Sequence, residues 1–96
     1  MTRLELSAPA QADLDEILTY SRLSFDEDVA AEYFFSFDEA FALLRRHPLA
    51  GAAVDDIRQE LRRLSHRQHR IFYRIVDDKV RVLRILHHAM DTDKRL

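Results

Sequence analysis

The sequence predicts an α+β fold, ordered β-α-α-β-β-β, with a helical hairpin packed on a small, largely antiparallel sheet. Three observations predict it. Two consecutive stretches before residue 47 repeat apolar residues at three- and four-residue spacing, three stretches after residue 58 are rich in Ile, Val, Leu, Phe and Tyr, and the connectors between neighbours are short. With 96 residues the chain has room for one domain, residues 1–96, and one modest core.

Each element has its own signal. Leu4 and Leu6 alternate with Arg3, Glu5 and Ser7, as in a short half-buried strand. Ser7 and Pro9 open a helix over about residues 9–23, because serine accepts from a free first-turn amide and proline has no amide to leave unpaired. Its inward face is Ala10, Leu14, Ile17, Leu18 and Ser21, and Asp13, Asp15 and Glu16 sit near the positive end of its dipole. Ser24-Phe25-Asp26-Glu27 has the form of a capping box in which Ser24 and Glu27 satisfy each other's backbone donors. The second helix carries the stripe Ala30, Tyr33, Phe34, Phe37, Ala40, Phe41 and Leu44. Arg45 and Arg46 suit its C-terminal end, and His47 before Pro48 is biased out of helical geometry. Residues 48–57 hold the only glycine and form a connector; strands follow over about 59–65, 69–76 and 79–87.

The last two strands raise a question of charge. Taking Asp77-Asp78 as a two-residue turn pairs Val76 with Lys79, Ile75 with Val80, Arg74 with Arg81 and Tyr73 with Val82. One face then collects Ile71, Tyr73, Ile75, Val80 and Val82; the other collects Arg70, Phe72, Arg74, Arg81, Leu83 and Ile85. Two arginines directly opposite each other repel, so the second face calls for a negative group. Asp77, Asp78, Glu60 or a helix carboxylate can supply it from within, and an acidic peptide or nucleic acid from without. As a partner-binding surface the candidates are Arg70, Phe72, Arg74, Arg81 and Leu83, joined by Phe35, which points away from the helical stripe. The charge distribution of the whole chain agrees: residues 1–57 hold four arginines against twelve carboxylates, residues 58–96 eleven cations against five.

Taken together, "LSAPAQADLDEILTY", "HPLAG", "DDIRQELRRL", "HRIFYRI" and "VRVLRILHHAMD", in this order and spacing, resemble the ParE/RelE toxin superfamily on its ParE side. The resemblance runs nearly end to end and implies the same strand, helical hairpin and sheet layout. It further implies a toxin of a type II toxin–antitoxin system that inhibits DNA gyrase, is neutralised by a ParD-like antitoxin, and catalyses no reaction. Arg62, Tyr73, Arg84 and His87 match positions typical of the family's strands, and Met90 and Asp91 begin the stretch after the last strand that often matters for toxicity. RelE-type relatives instead cut messenger RNA on the ribosome. For that alternative the candidate catalytic residues are Arg62, Arg81, Arg84, His87 and His88. Against it stand two lysines only, no tyrosine after the last strand, and a pI near 6.2, low for gripping RNA. An inactive homologue acting as an interaction partner is the third alternative.

Other chemistry finds little support. The chain has no cysteine, and His66-x-x-His69 and His87-His88, read as positions along single strands, point to opposite faces, so no metal site is expected. One glycine cannot build a phosphate-cradling loop, and no cofactor is called for. The start MTRLELSAPAQADL lacks the apolar run of a signal peptide and no segment is long enough for a membrane span. The expectation is a cytoplasmic protein with no membrane partner and no sequence-specific nucleic-acid binding of its own.

Overall fold

The computed structural model describes residues 2–90 and Leu96. The elements are β1 (Arg3–Leu6), α1 (Ala8–Ser24), α2 (Glu27–Arg46), β2 (Ala52–Ala53), β3 (Arg62–His66), β4 (His69–Val76) and β5 (Lys79–His87). The five strands form one sheet in the order β1-β5-β4-β3-β2. β1 lies parallel to β5, and the other three pairings are antiparallel. Two residues carry no periodicity, which is why β2 has no counterpart in the expected order.

Ser7 caps α1 as expected, its Oγ accepting from the Ala10 amide at 3.1 Å. The same hydroxyl donates to the Leu83 carbonyl at 2.8 Å, so the cap also ties α1 to β5. The second cap differs from the expected box. Ser24 is the last residue of α1, and Asp26 caps α2 by accepting from the Val29 amide at 2.9 Å. An ionised carboxylate is the better acceptor at a helix start, and using Asp26 leaves only Phe25 and Asp26 between the two helices.

The helices lie on one face of the sheet. Ala10, Leu14 and Ile17 of α1 and Phe37, Ala40, Phe41 and Leu44 of α2 pack against Ile71, Tyr73, Val80, Val82 and Ile85. Each large side chain so buried stabilises the fold by about 1.5–3 kcal/mol before entropy is counted. The β4–β5 register matches the expected one from Val76–Lys79 through Tyr73–Val82, and both turn residues, Asp77 and Asp78, have positive φ, as a tight two-residue hairpin requires. Beyond it Phe72 pairs with Arg84, leaving Leu83 as an extra residue. That bulge moves Ile85 from the expected outer set into the helix-covered core, while Ile75, expected in the core, lies at the sheet end with 41% of its surface exposed.

The face away from the helices is covered in part. The connector folds over it through Val54 and Leu61, which meet Phe72 and Leu86 in a second, smaller core edged by Ile57, Leu83 and Leu96. Phe72 is thus fully buried, and the half-apolar look of this face comes from a covered end and an open end.

Candidate partner-binding surfaces

At the open end of the outer face Arg74 and Arg81 stand opposite each other. Arg81 is compensated by Glu5 of β1, which accepts from Arg81 Nη1 at 2.5 Å and lies 3.3 Å from Lys79 Nζ. These two cations hold the Glu5 carboxyl below its ordinary range. Glu5 was not among the expected partners, because its place beside Arg81 depends on β1 docking against a strand at the other end of the chain. Arg70 and Arg74 are half-buried on the same face, and among the described residues neither has a carboxylate within ion-pairing distance. Arg63, paired across the ladder with Phe72, shares that condition.

Two members of the expected surface do not belong to it. Phe72 has no exposed area, since the connector covers it. Phe35 is 62% exposed, but on the outward side of α2, stacked edge-on against Phe34 and separated from the arginines by the whole helix layer. Leu83 keeps a half-buried place at the margin of the smaller core. Met90 is 41% exposed at the rim of a separate groove; Asp91 lies outside the described residues.

That groove, about 870 Å³, opens between the α1–α2 junction and the end of the sheet, walled by Ile17, Tyr20, Phe25, Val29, Tyr33 and Met90. Histidines gather around it. The Arg67-Gln68 turn makes His66 and His69 cross-strand partners, so contrary to expectation they share a face. His69 Nδ1 lies 2.6 Å from the Tyr33 hydroxyl and its ring packs edge-on against His87, while His66 Nε2 lies 2.8 Å from Ser36 Oγ. Among the described residues no group of three or more His, Cys, Asp or Glu is arranged to hold a metal ion. Burial, then the neighbouring His87, push the His69 pKa from 6.5 down to about 4. The unfolded chain therefore binds a proton that the folded one refuses, so this contribution to stability is complete above pH 6.5 and is lost as pH falls toward about 4. The expected loss is about 1 kcal/mol after allowing for solvent at the ring. Urea unfolding between these pH values should show a smaller loss for His69→Gln, and equal slopes would refute the assignment.

Of the five residues of the ribonuclease alternative only His87 and His88 meet, their ring centroids 4.4 Å apart although alternation along a strand would part them; the other three are held separately. Arg62 donates to the Gly51 carbonyl at 2.6 Å and braces the connector. Arg81 is held by Glu5, and Arg84 by Asp13 of α1, with Nε–Oδ2 and Nη2–Oδ1 distances of 2.7 and 2.8 Å. His87 Nδ1 accepts from the Ala89 amide, and His88 Nε2 pairs with Gln68 Oε1 at 3.0 Å at the other end of the strand. Sequence reasoning missed Asp13 altogether: it reads as one more acid near a helix start, yet it is buried and also accepts from the Ile85 amide at 2.9 Å.

Among the described residues no helix is long and apolar enough to cross a membrane. The profile of the ParE toxin of the type II toxin–antitoxin system parDE matches residues 4–92. Toxin ParE1 of Mycobacterium tuberculosis is 38% identical over 98 residues, covering 99% of this chain and 98% of that one. Toxin ParE1 of Caulobacter vibrioides is 33% identical over 96 residues, covering 100% and 99%. Among solved structures, a chain of the chromosomal ParDE system of P. aeruginosa superposes with a TM-score of 0.79 at 21% identity, over 91% of this chain and 96% of that one. A chain of the Mycobacterium tuberculosis RelBE2 toxin–antitoxin complex superposes with a TM-score of 0.61 at 25% identity, over 91% and 98%. With a fold shared with these structures and a sequence match from the first strand to beyond the last, the chain belongs to the ParE family of toxins of type II toxin–antitoxin systems.

Proposed function

We propose that this chain is a single toxin domain, residues 1–96, acting in the cytoplasm to inhibit DNA gyrase and held inactive by a ParD-like antitoxin. The family supports the target and the partner. The observation that carries the binding surface is the unfinished electrostatics of the outer sheet face: Arg70 and Arg74 without a carboxylate at ion-pairing distance among the described residues, beside Arg81, whose partner Glu5 is shared with Lys79. An acidic antitoxin segment laid over this end supplies the missing charge and gains charge-assisted hydrogen bonds to the guanidinium forks. Leu83 adds apolar contact at its margin; Phe72 and Phe35 take no part.

Expressed alone, the protein should arrest growth, and the purified toxin should abolish supercoiling by gyrase until antitoxin is added. Ribosome-dependent cleavage of messenger RNA with supercoiling intact would overturn the reading in favour of the RelE-type activity, and growth without arrest would favour an inactive interaction partner. For the surface, changing Arg74 and Arg81 together to Glu should weaken antitoxin binding about tenfold or more. Arg22→Glu, at an exposed ion pair with Glu27 on the helix layer, is the control. Titration calorimetry on variants with unchanged circular dichroism decides it, and equal effects would remove the basis for placing the antitoxin here.

A further inference from the structure

The covered end of the outer face is closed by a residue far from it in the chain. Leu96 packs half-buried on the small core formed by Val54, Leu61, Phe72 and Leu86, and Arg58, an exposed connector residue, donates to the Leu96 main-chain oxygen. This is a recognition unit in miniature: an aliphatic side chain packed on an apolar cluster, with the main-chain oxygen beside it taken by a guanidinium. The connector that forms one wall of this small core is braced by bonds that do not involve Leu96. Val54 N donates to the Leu61 carbonyl at 2.9 Å, and Asp55 Oδ1 accepts from the Glu60 amide at 2.9 Å. Flanking the cluster on the same face are Arg63, opposite Phe72, and Arg70, opposite Leu86.

We propose that this cluster is an exchangeable socket: in the complex an aliphatic side chain on an extended, acidic segment of the antitoxin replaces Leu96, and Arg58 transfers its hydrogen bond to that segment. The inference rests on the reading that the antitoxin covers the outer sheet face, and it extends that surface from Arg74 and Arg81 past Arg70 to the connector. The occupant's chemistry follows from what already sits there, a leucine with an adjacent oxygen acceptor, and from Arg63 and Arg70 on either side, which among the described residues have no carboxylate at ion-pairing distance and favour carboxylates next to the anchor.

The consequence is that Leu96 competes in cis with the partner. Removing it should raise affinity, because a ligand then no longer has to displace a half-buried leucine, by about fivefold. Removing the donor should lower affinity by a similar factor. The test is titration calorimetry of the full-length toxin with the antitoxin encoded beside it, comparing wild type, Leu96→Ala, Arg58→Ala and the Arg74→Glu, Arg81→Glu pair. Tighter binding by Leu96→Ala with weaker binding by Arg58→Ala supports the socket. Unchanged or weaker binding by Leu96→Ala, while the paired charge reversal still weakens it, overturns the socket and leaves the outer-face reading standing; no effect of the charge reversal removes both. A second measurement needs no variant: with methyl-labelled toxin, the Leu96 methyl signals should become accessible to a soluble paramagnetic probe when antitoxin is added. Continued protection refutes exchange.

Discussion

Asp13→Ala is expected to lower the free energy of unfolding by about 3 kcal/mol, because it removes one side of a largely buried ion pair and with it the acceptor of the Ile85 amide. Asp13 is 8% exposed, and its carboxylate satisfies three donors at once, two on Arg84 and the Ile85 amide. It thereby joins α1 to β5 just beyond the bulge at Leu83, where the ladder is locally broken and Ile85 must be held in the core. Asp13→Asn, which keeps an acceptor for the amide but loses the charge, should recover part of the loss. Arg84→Ala should cost less than Asp13→Ala, since the carboxylate keeps the Ile85 amide, and the double variant should cost less than the sum. Urea unfolding with an unchanged m-value is the measurement; a loss under about 1 kcal/mol for Asp13→Ala would show that the pair is replaceable.

The second large effect is expected at Gly51, for reasons of space rather than backbone freedom. A Cβ there would stand 2.7 Å from both Tyr73 Cε1 and its hydroxyl oxygen and 2.9 Å from the Arg63 carbonyl oxygen, and neither neighbour is free to move. Tyr73 is wholly buried, and its hydroxyl accepts from the Gly51 amide at 2.8 Å while donating to the Pro48 carbonyl at 2.7 Å. Gly51→Ala must lift the connector off the sheet, straining or breaking these bonds together with the one from Arg62. The expected cost is about 2–3 kcal/mol, or about 10–20 °C in the melting temperature of a domain this size. Tyr73→Phe should cost about 1–2 kcal/mol by orphaning the Gly51 amide. Combined, the two should cost less than their sum, because losing the hydroxyl removes one of the clashing atoms. A melting temperature unchanged by Gly51→Ala would mean that this connector carries no strain and no stability.

What could be read from the sequence was mostly local in the chain, although the local cap at Asp26 and the face shared by His66 and His69 were misread. The helices, the Ser7 cap and the β4–β5 register up to Tyr73–Val82 all rest on contacts between near neighbours, and the structure has them. Most of what could not be read depended on distant pairings. Glu5 beside Arg81, Asp13 beneath Arg84 and Phe72 under the connector each require knowing which remote segment docks where. The bulge at Leu83 is a two-against-one mismatch that alternation cannot reveal, and it alone put Ile85 on the wrong face. The arginine-bearing sheet face was legible in kind but not in outline, because covered and open ends of one face look alike in sequence.

The parallel seat of β1 against β5 has a consequence for how the molecule comes into being. Glu5 and Arg81 are 76 positions apart, so β1 must wait, unpaired, until β5 has been made and has left the ribosome. Such distant closure slows folding and leaves nascent apolar surface uncovered meanwhile. A chain cut short before β5 therefore has its helices in hand and the sheet beneath them incomplete, with no place for β1 to dock.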